Sequence, residues 1–600
     1  VTSGMRVAAA AWRLSWRVAA RTTVAQLVLT VLGAAAPVTG AWLTKVVLDQ
    51  LSAPGGPADL VWPITGLVAA GVMTALVPQV VRYLRAEQER MVALAALDRL
   101  YTAVNRLVGL GRFEDPQFAD RLRFARHAGG SGPAEITTVS LNLLQQVLVT
   151  AGFAVSLATV SPALAIAVLV GAVPAVAAEF ALARRRAEAM NTVGPIERRE
   201  LFYGQLLSDV DAATEIRLFG VGSFLRERML RERRTANRVQ RAMDRRSLSM
   251  EALLTMLSTA VAGGCLVWVV NAAAGGTVTV GDVSMLVAAV AAVQTSLLGM
   301  VRDLAGAHTQ LLMFGHYLAV VEAEPDLPLP VHSRPVPPLR HGIELRDVWF
   351  RYREDLPWVL RGVTLTIPKG QAVALVGYNG AGKSTIIKLL CRYYDPDRGA
   401  ILWDGVDLRD LDPVQLRARI AGVFQDFVSY ELSAAENIGI GDVEALADRS
   451  RVETAAREAG VHDIVSGLPH GYDTLLSRTY FAGDELNGTT PGTMLSGGQW
   501  QRLAIARSFL RGGRDLLILD EPSARLDAEA EHEIHQGFRR LRDDGTSLLV
   551  SHRLGTIRDA DLILVLDAGT VVQAGSHDEL VEAAGPYAEL FSLQAAGYRD

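Results

Sequence analysis

Ala372-Val373-Ala374-Leu375-Val376-Gly377-Tyr378-Asn379-Gly380-Ala381-Gly382-Lys383-Ser384 is the stretch of this chain on which its fold turns. An apolar run gives a short buried strand, glycines punctuate the positions after it, and the apolar stretch Thr385 to Leu390 continues as a helix. Strand, glycine loop and helix in that order build a cradle for a polyphosphate. Glycines let backbone N–H groups turn inward, and the helix N-terminus adds its dipole. Lys383 is placed to neutralise β and γ phosphates, the Ser384 hydroxyl to coordinate Mg²⁺, and the stretch from Gly377 through Thr385 to hold the nucleotide. Lysine occurs only at Lys45, Lys369, Lys383 and Lys388, although the chain has 59 basic residues. A compact ammonium therefore stands where phosphate demands a point charge, and arginine's planar fork does not.

Downstream, Leu516 to Leu519 reads as a second buried strand that delivers Asp520 and Glu521 to its C-terminal end, where ligands bind in such sheets. Asp520 is expected to hold Mg²⁺ and Glu521 to polarise an attacking water. Leu495-Ser496-Gly497-Gly498-Gln499 opens the helix Trp500 to Leu510, a second helix N-terminus suited to a phosphate. Two phosphate sites in one domain need not face the same nucleotide, so two copies that complete each other's sites are expected. Ser547 to Ser551 and Leu562 to Leu566 complete an alternating strand and helix pattern, which makes this half an α/β domain.

The other half is different. The chain has 600 residues, half of them apolar, and its charges are crowded between long uncharged runs. Thr22 to Thr44, Leu60 to Val81, Ile136 to Ala178 (two spans broken near Pro162), Ala252 to Gly281 and Val283 to Val301 are long enough to cross a hydrocarbon core of about 30 Å. Six spans are expected, at about 22–48, 60–84, 136–159, 162–183, 252–273 and 280–303, within a membrane domain over 1–324. The first run is too long for a signal peptide and lacks a cleavage site. Arg6, Arg13, Arg17 and Arg21 precede it, whereas Ser52 to Asp59 holds no basic residue, which places both ends of the chain in the cytoplasm of a cell membrane. Six prolines between Pro325 and Pro338 mark a linker over 325–340, and the soluble domain follows over 341–600. Cys265 and Cys391 form no metal or disulfide pattern.

The loop from Gly377 to Ser384, the Leu495 to Gln499 signature, the Asp520-Glu521 pair and His552 after a strand resemble, in order and spacing, the ATP-binding cassette (ABC) transporters. The spans ahead of them resemble exporter-type half-transporters, so the likeness covers nearly the whole chain. The resemblance implies an ATPase using ATP and Mg²⁺, paired with a second copy or a related half-transporter, and exporting a hydrophobic or amphipathic peptide, lipid or drug-like cargo. It implies that Tyr352 stacks on adenine, that Gln425 links Mg²⁺ and attacking water to the membrane domain, and that His552 contacts the γ-phosphate. Phe113-Glu114-Asp115-Pro116-Gln117-Phe118 and Glu215-Ile216-Arg217-Leu218-Phe219-Gly220 look like the family's coupling helices; read by pattern alone they are ordinary helix ends.

Two departures stand out. Ala524-Arg525-Leu526-Asp527 replaces the family's usual Ser-Ala-Leu-Asp, so a dimer-contacting serine is missing. Phe481 to Thr493, rich in Gly, Asn and Thr, replaces a shorter contact loop and reads either as a solvated insertion or as altered coupling. With Trp500 this region looks similar to peptide and lantibiotic exporters. An importer on the same scaffold would share every motif. A nucleic-acid-directed ATPase is opposed by the spans and the lack of a basic patch, and a peptidase-exporter by the lack of any cysteine before Cys265. Gln145, Gln146, Glu179, Gln294 and Asp303 are polar residues in or near spans that face either a cavity or neighbouring helices.

Overall fold

The computed structural model describes all residues except 1, 53–59, 276, 331–332, 478–480, 483–489, 492, 523–533, 535, 539–544, 552–556 and 597–600. His552, the loop 524–527 and most of the insertion 481–493 therefore lie outside the described residues, as does the side chain of Glu179. The chain divides into two compact units, residues 1–105 with 117–323 and residues 106–116 with 324–600.

The first unit is helical. Its long helices are α1 (Thr2–Ser52), α2 (Val61–Asn105), α3 (Pro116–Val160), α4 (Pro162–Ser208), α6 (Gly222–Ala274) and α7 (Val280–Val321), with the short α5 (Val210–Leu218) between α4 and α6. At about 1.5 Å per residue, a 45-residue helix such as α2 reaches about 70 Å, twice the thickness of a hydrocarbon core. Among the described residues α1, α2, α3 and α7 are long and apolar enough to cross a membrane, and Gly263–Ala274 in α6 is a shorter apolar stretch. Phe153, Leu157, Leu164, Val269, Met285 and Val293 form one buried cluster drawn from α3, α4, α6 and α7. Gln146 Nε2 donates to Asp303 at 3.0 Å, so these two polar residues meet each other in the helix packing. Lys45 of α1 pairs with Asp282, whose other oxygen closes a capping box with Thr279 at the start of α7.

The second unit is built on two sheets. β1 (Gly342–Phe350), β2 (Leu360–Pro368), β4 (Arg398–Trp403) and β5 (Val406–Asp407) form an antiparallel sheet in the order β2-β1-β4-β5. β3 (Ala372–Gly377), β6 (Ile420–Val423), β9 (Leu516–Asp520), β10 (Thr546–Val550), β11 (Leu562–Asp567) and β12 (Thr570–Gly575) form the second, in the order β12-β11-β3-β10-β9-β6. All of its pairings are parallel except β11 with β12. Every residue of β3, β9 and β10 is buried, which is why β3 and Leu516 to Leu519 of β9 read as continuous apolar runs without alternation. β7 (Phe481–Ala482) and β8 (Thr490–Pro491) pair as a minimal ladder at the ends of the insertion.

Helix α8 (Lys383–Leu390) follows β3. The short α9 (Pro413–Ala418), α10 (Ala434–Gly439), α11 (Arg449–Glu458) and α12 (His462–Ser466) precede α13 (Gly497–Leu510). The proline-rich stretch is stitched to this unit: Trp403 Nε1 donates to the Pro337 carbonyl at 3.0 Å, and the fully buried Arg392 donates to the carbonyls of Pro328 and Leu411. Ile518 is fully buried in the middle of β9, two strands from β3. Ile518→Ala is expected to cost about 2–5 kcal/mol of stability, read as an earlier unfolding transition of the full-length protein in denaturant.

Candidate functional site

Strand register assembles the site. β6 and β9 pair Val423 with Leu519, so two residues further on Gln425 arrives beside Glu521. Gln425 Nε2 donates to Glu521 Oε2 at 2.9 Å. β9 and β10 pair Asp520 with Val550, and the Glu521 amide donates to the Val550 carbonyl at 2.8 Å. β10 and β3 pair Val550 with Leu375, two residues before Gly377. The phosphate loop, both carboxylates and Gln425 thus leave one C-terminal sheet edge, where open α/β sheets bind ligands.

The loop is held by close backbone approach. Gly377 has φ +154° and leaves no room for a Cβ against the Leu566 carbonyl of the neighbouring strand. Gly382, the residue before α8, has φ +105°, and a Cβ there would come within 2.6 Å of Leu360 Cδ2. Lys383 is buried, and its Nζ donates back to the carbonyls of Gly377 at 2.6 Å and Tyr378 at 3.1 Å. Burial pulls its ammonium below the ordinary lysine range, against the field of Glu521 and Asp520. Ser384 and Tyr378 are exposed at the mouth, whereas Ala381 and Thr385 are buried.

Carboxylates crowd this edge. Asp520 is 8% exposed; burial, then Glu521 and Asp426, push its carboxyl up to about 6, and Lys383 only partly offsets them. Glu521 adopts φ +48°, a left-handed conformation unusual for a residue with a side chain. A buried acid held near neutrality beside two further carboxylates and an exposed serine hydroxyl is a donor set that suits a divalent oxygen-liganded cation.

Tyr352 follows β1. Its hydroxyl lies 3.1 Å from Thr385 Oγ1, and its ring meets Phe350 and Tyr394 edge-on at 5.1 and 5.4 Å. Ser496 caps α13: its hydroxyl accepts from the Gln499 amide at 3.3 Å while Gln499 Oε1 accepts from the Ser496 amide at 2.8 Å. Ser496 and Gly497 are exposed, so the start of this helix faces solvent.

Residues 360–524 match the family model described as ABC transporter. This region is thus similar to an ABC transporter. The chain is 42% identical over 252 residues to the ATP-dependent lipid A-core flippase of Chromohalobacter salexigens, a match covering 42% of this chain and 41% of that protein. It is 39% identical over 256 residues to the putative multidrug export ATP-binding/permease protein YgaD of Bacillus subtilis, covering 43% and 42%. These matches span about two-fifths of the relatives' length. Across nearly the whole chain the fold matches a solved bacterial Atm1-family ABC exporter with ATP bound, at a TM-score of 0.81 and 24% identity, covering 96% of this chain and 98% of that one. The chain therefore shares the fold of that structure, an apolar helical domain followed by an α/β domain.

Three interactions of the second unit escape local pattern. Asp426, beside Gln425, adds to the acidic field on Asp520. Arg507 of α13 donates to the Val428 carbonyl at 2.8 Å and packs 4.9 Å from the Tyr430 ring, tying the signature helix to the segment after Gln425. Lys388 of α8 reaches Glu114 at 2.9 Å. The scarcity of lysine was a signal for the last of these; the first two have none in the sequence.

The raised Asp520 carboxyl gives a pH prediction. Its proton is retained in the folded chain above the ordinary aspartate range, so its contribution to stability falls as pH rises towards about 6. A cation held by Asp520 would need its ionised form. MgATP affinity of the wild type should fall by up to about tenfold per pH unit below about 6, beyond the decline in Asp520→Asn, which retains only the titration of ATP's own phosphate. Isothermal titration between pH 5 and 8 measures the difference.

Proposed function

We propose that the chain is an ATP-driven exporter that works as a pair of copies in the cytoplasmic membrane, with both termini in the cytoplasm and six spans at the positions read from the sequence. The observation that carries this reading is the meeting of the Gly377–Thr385 loop, Lys383, Asp520, Glu521 and Gln425 at one sheet edge of a chain whose other half has membrane-length apolar helices.

Loop amides grip the ATP polyphosphate, and Lys383 exchanges its carbonyl partners for β and γ oxygens. Ser384, Asp520 and Gln425 are the residues that would hold Mg²⁺, which supplies charge neutralisation at the phosphates. Glu521, oriented by Gln425, takes the proton of the attacking water; His552 stands near the γ-phosphate; Tyr352 stacks on adenine. Ser496, Gly497, Gly498 and Gln499 of the second copy close over the triphosphate from the other side.

The exposed apolar tip of α5 supports a pair. Leu218 is 75% and Phe219 67% exposed, large apolar side chains of the kind that a second chain covers. A hydrophobic or amphipathic cargo, whether peptide, lipid or drug-like, fits the names of the lipid A-core flippase and multidrug export relatives.

ATPase activity of the chain purified alone in lipid is expected, with stimulation by peptides, lipids or amphipathic drugs. Activity that appears only beside a second, different half-transporter would refute the pair of identical copies. Glu521→Gln should lower ATP turnover by about 10²–10⁴-fold while retaining ATP binding; turnover at the wild-type rate would remove Glu521 from the role of base.

A further inference from the structure

Lys388 projects from α8, one turn past the phosphate loop. Its Nζ donates to Glu114 Oε1 at 2.9 Å and lies 5.0 Å from the centre of the Tyr352 ring. Tyr352 has little freedom, because Phe350 and Tyr394 press its ring edge-on and its hydroxyl meets Thr385. Glu114 belongs to the turns between α2 and α3, a stretch fastened to the ATPase domain at several points. The Leu110 amide donates to the Tyr393 carbonyl at 3.2 Å, the Gly109 amide to Asp326 Oδ1 at 3.0 Å, and Arg417 to the Val108 carbonyl at 2.5 Å. One ammonium therefore touches both the tyrosine assigned to adenine and the segment that connects two long helices.

We propose that Lys388 is a positioning residue that links adenine stacking on Tyr352 to the seating of the 106–116 segment. The proposal rests on the reading of Tyr352 as the adenine contact. The Lys388 and Glu114 side chains are 32% and 44% exposed, so their attraction alone adds little to stability. Its value lies in being shared. An adenine that settles on the ring fixes Tyr352, the ring holds the ammonium by its π cloud, and the ammonium holds Glu114. Residual burial acts to raise the Glu114 carboxyl, yet Tyr394 and Lys388 outweigh it and keep it below the ordinary glutamate range. The link is thus charged throughout the neutral range. By thermodynamic reciprocity, whatever factor ATP adds to the seating of 106–116, that seating adds to ATP affinity.

The test measures equilibrium MgATP binding by the full-length chain in lipid nanodiscs, together with hydrogen exchange of the 106–116 amides. Lys388→Gln and Glu114→Gln are each expected to weaken ATP about three- to tenfold, although Glu114 touches no nucleotide. The double variant should be no weaker than Lys388→Gln. ATP should slow exchange in 106–116 of the wild type and not of Lys388→Gln, with exchange elsewhere in the ATPase domain unchanged as the control for folding. Unchanged affinity in either single variant, additive losses in the double, or protection that survives Lys388→Gln would overturn the link. Tyr352→Ala separates the two readings. If it leaves ATP affinity unaltered, the adenine assignment fails and the link with it; if it weakens ATP while Lys388→Gln does not, the link alone fails.

Discussion

Parallel strands that end in phase are the constraint on which the rest depends. Val423, Leu519, Leu549 and Ala374 occupy matching levels of β6, β9, β10 and β3, so the residues just past them emerge side by side. A slip of one residue would turn every side chain to the opposite face. The apolar runs of these strands hold the register, since all residues of β3, β9 and β10 are buried. Packing far from the nucleotide loop thereby sets the distance between Gln425 and Glu521.

Gathering acids at that edge is unfavourable, and the structure shows where the cost falls. Asp520 is driven towards its neutral form, Lys383 is drawn below its ordinary range, and Glu521 is held in a left-handed conformation. Packed strands keep these groups in place against their own preferences, which is how strain persists at functional sites. A polyphosphate with its cation, on the proposed function, would supply the charges that each lacks. In the proposed mechanism Lys383 would exchange its carbonyl partners for phosphate oxygens, and a cation would favour the ionised form of Asp520.

The fold class was legible in the sequence because both halves carry strong periodic or motif signals: uncharged runs for the helices, and a strand, glycine loop and helix for the ATPase domain. The phosphate loop, the acidic pair and Ser496 were legible as positions because their chemistry is local. Contacts were not. Gln425 meets Glu521 only through strand register, and Lys388 meets Glu114 across 274 residues of chain. The 106–116 stretch also illustrates a limit of pattern. Phe113 to Phe118 resembles a coupling helix, but Phe113 to Asp115 sit in turns held by the Leu110 and Arg112 carbonyls, whereas Pro116 to Phe118 open α3 and Glu215 to Leu218 lie in α5. Pro116 explains the difference: it disfavours helical backbone at Asp115 and suits the first turn of α3.

The two halves of the proposed nucleotide sandwich are prepared differently. Ser496 and Gln499 satisfy each other in a complete capping box, so the start of α13 is ordered before any phosphate arrives. What a second copy must add there is proximity, and little binding energy is lost to ordering. Lys383 is the opposite case, turned back on the carbonyls of Gly377 and Tyr378. Only a group with stronger acceptors than two backbone carbonyls draws it away, and a triphosphate is such a group. On this reading nucleotide loads first onto the loop of one copy, and the signature helix of the other closes onto a site that is already charged.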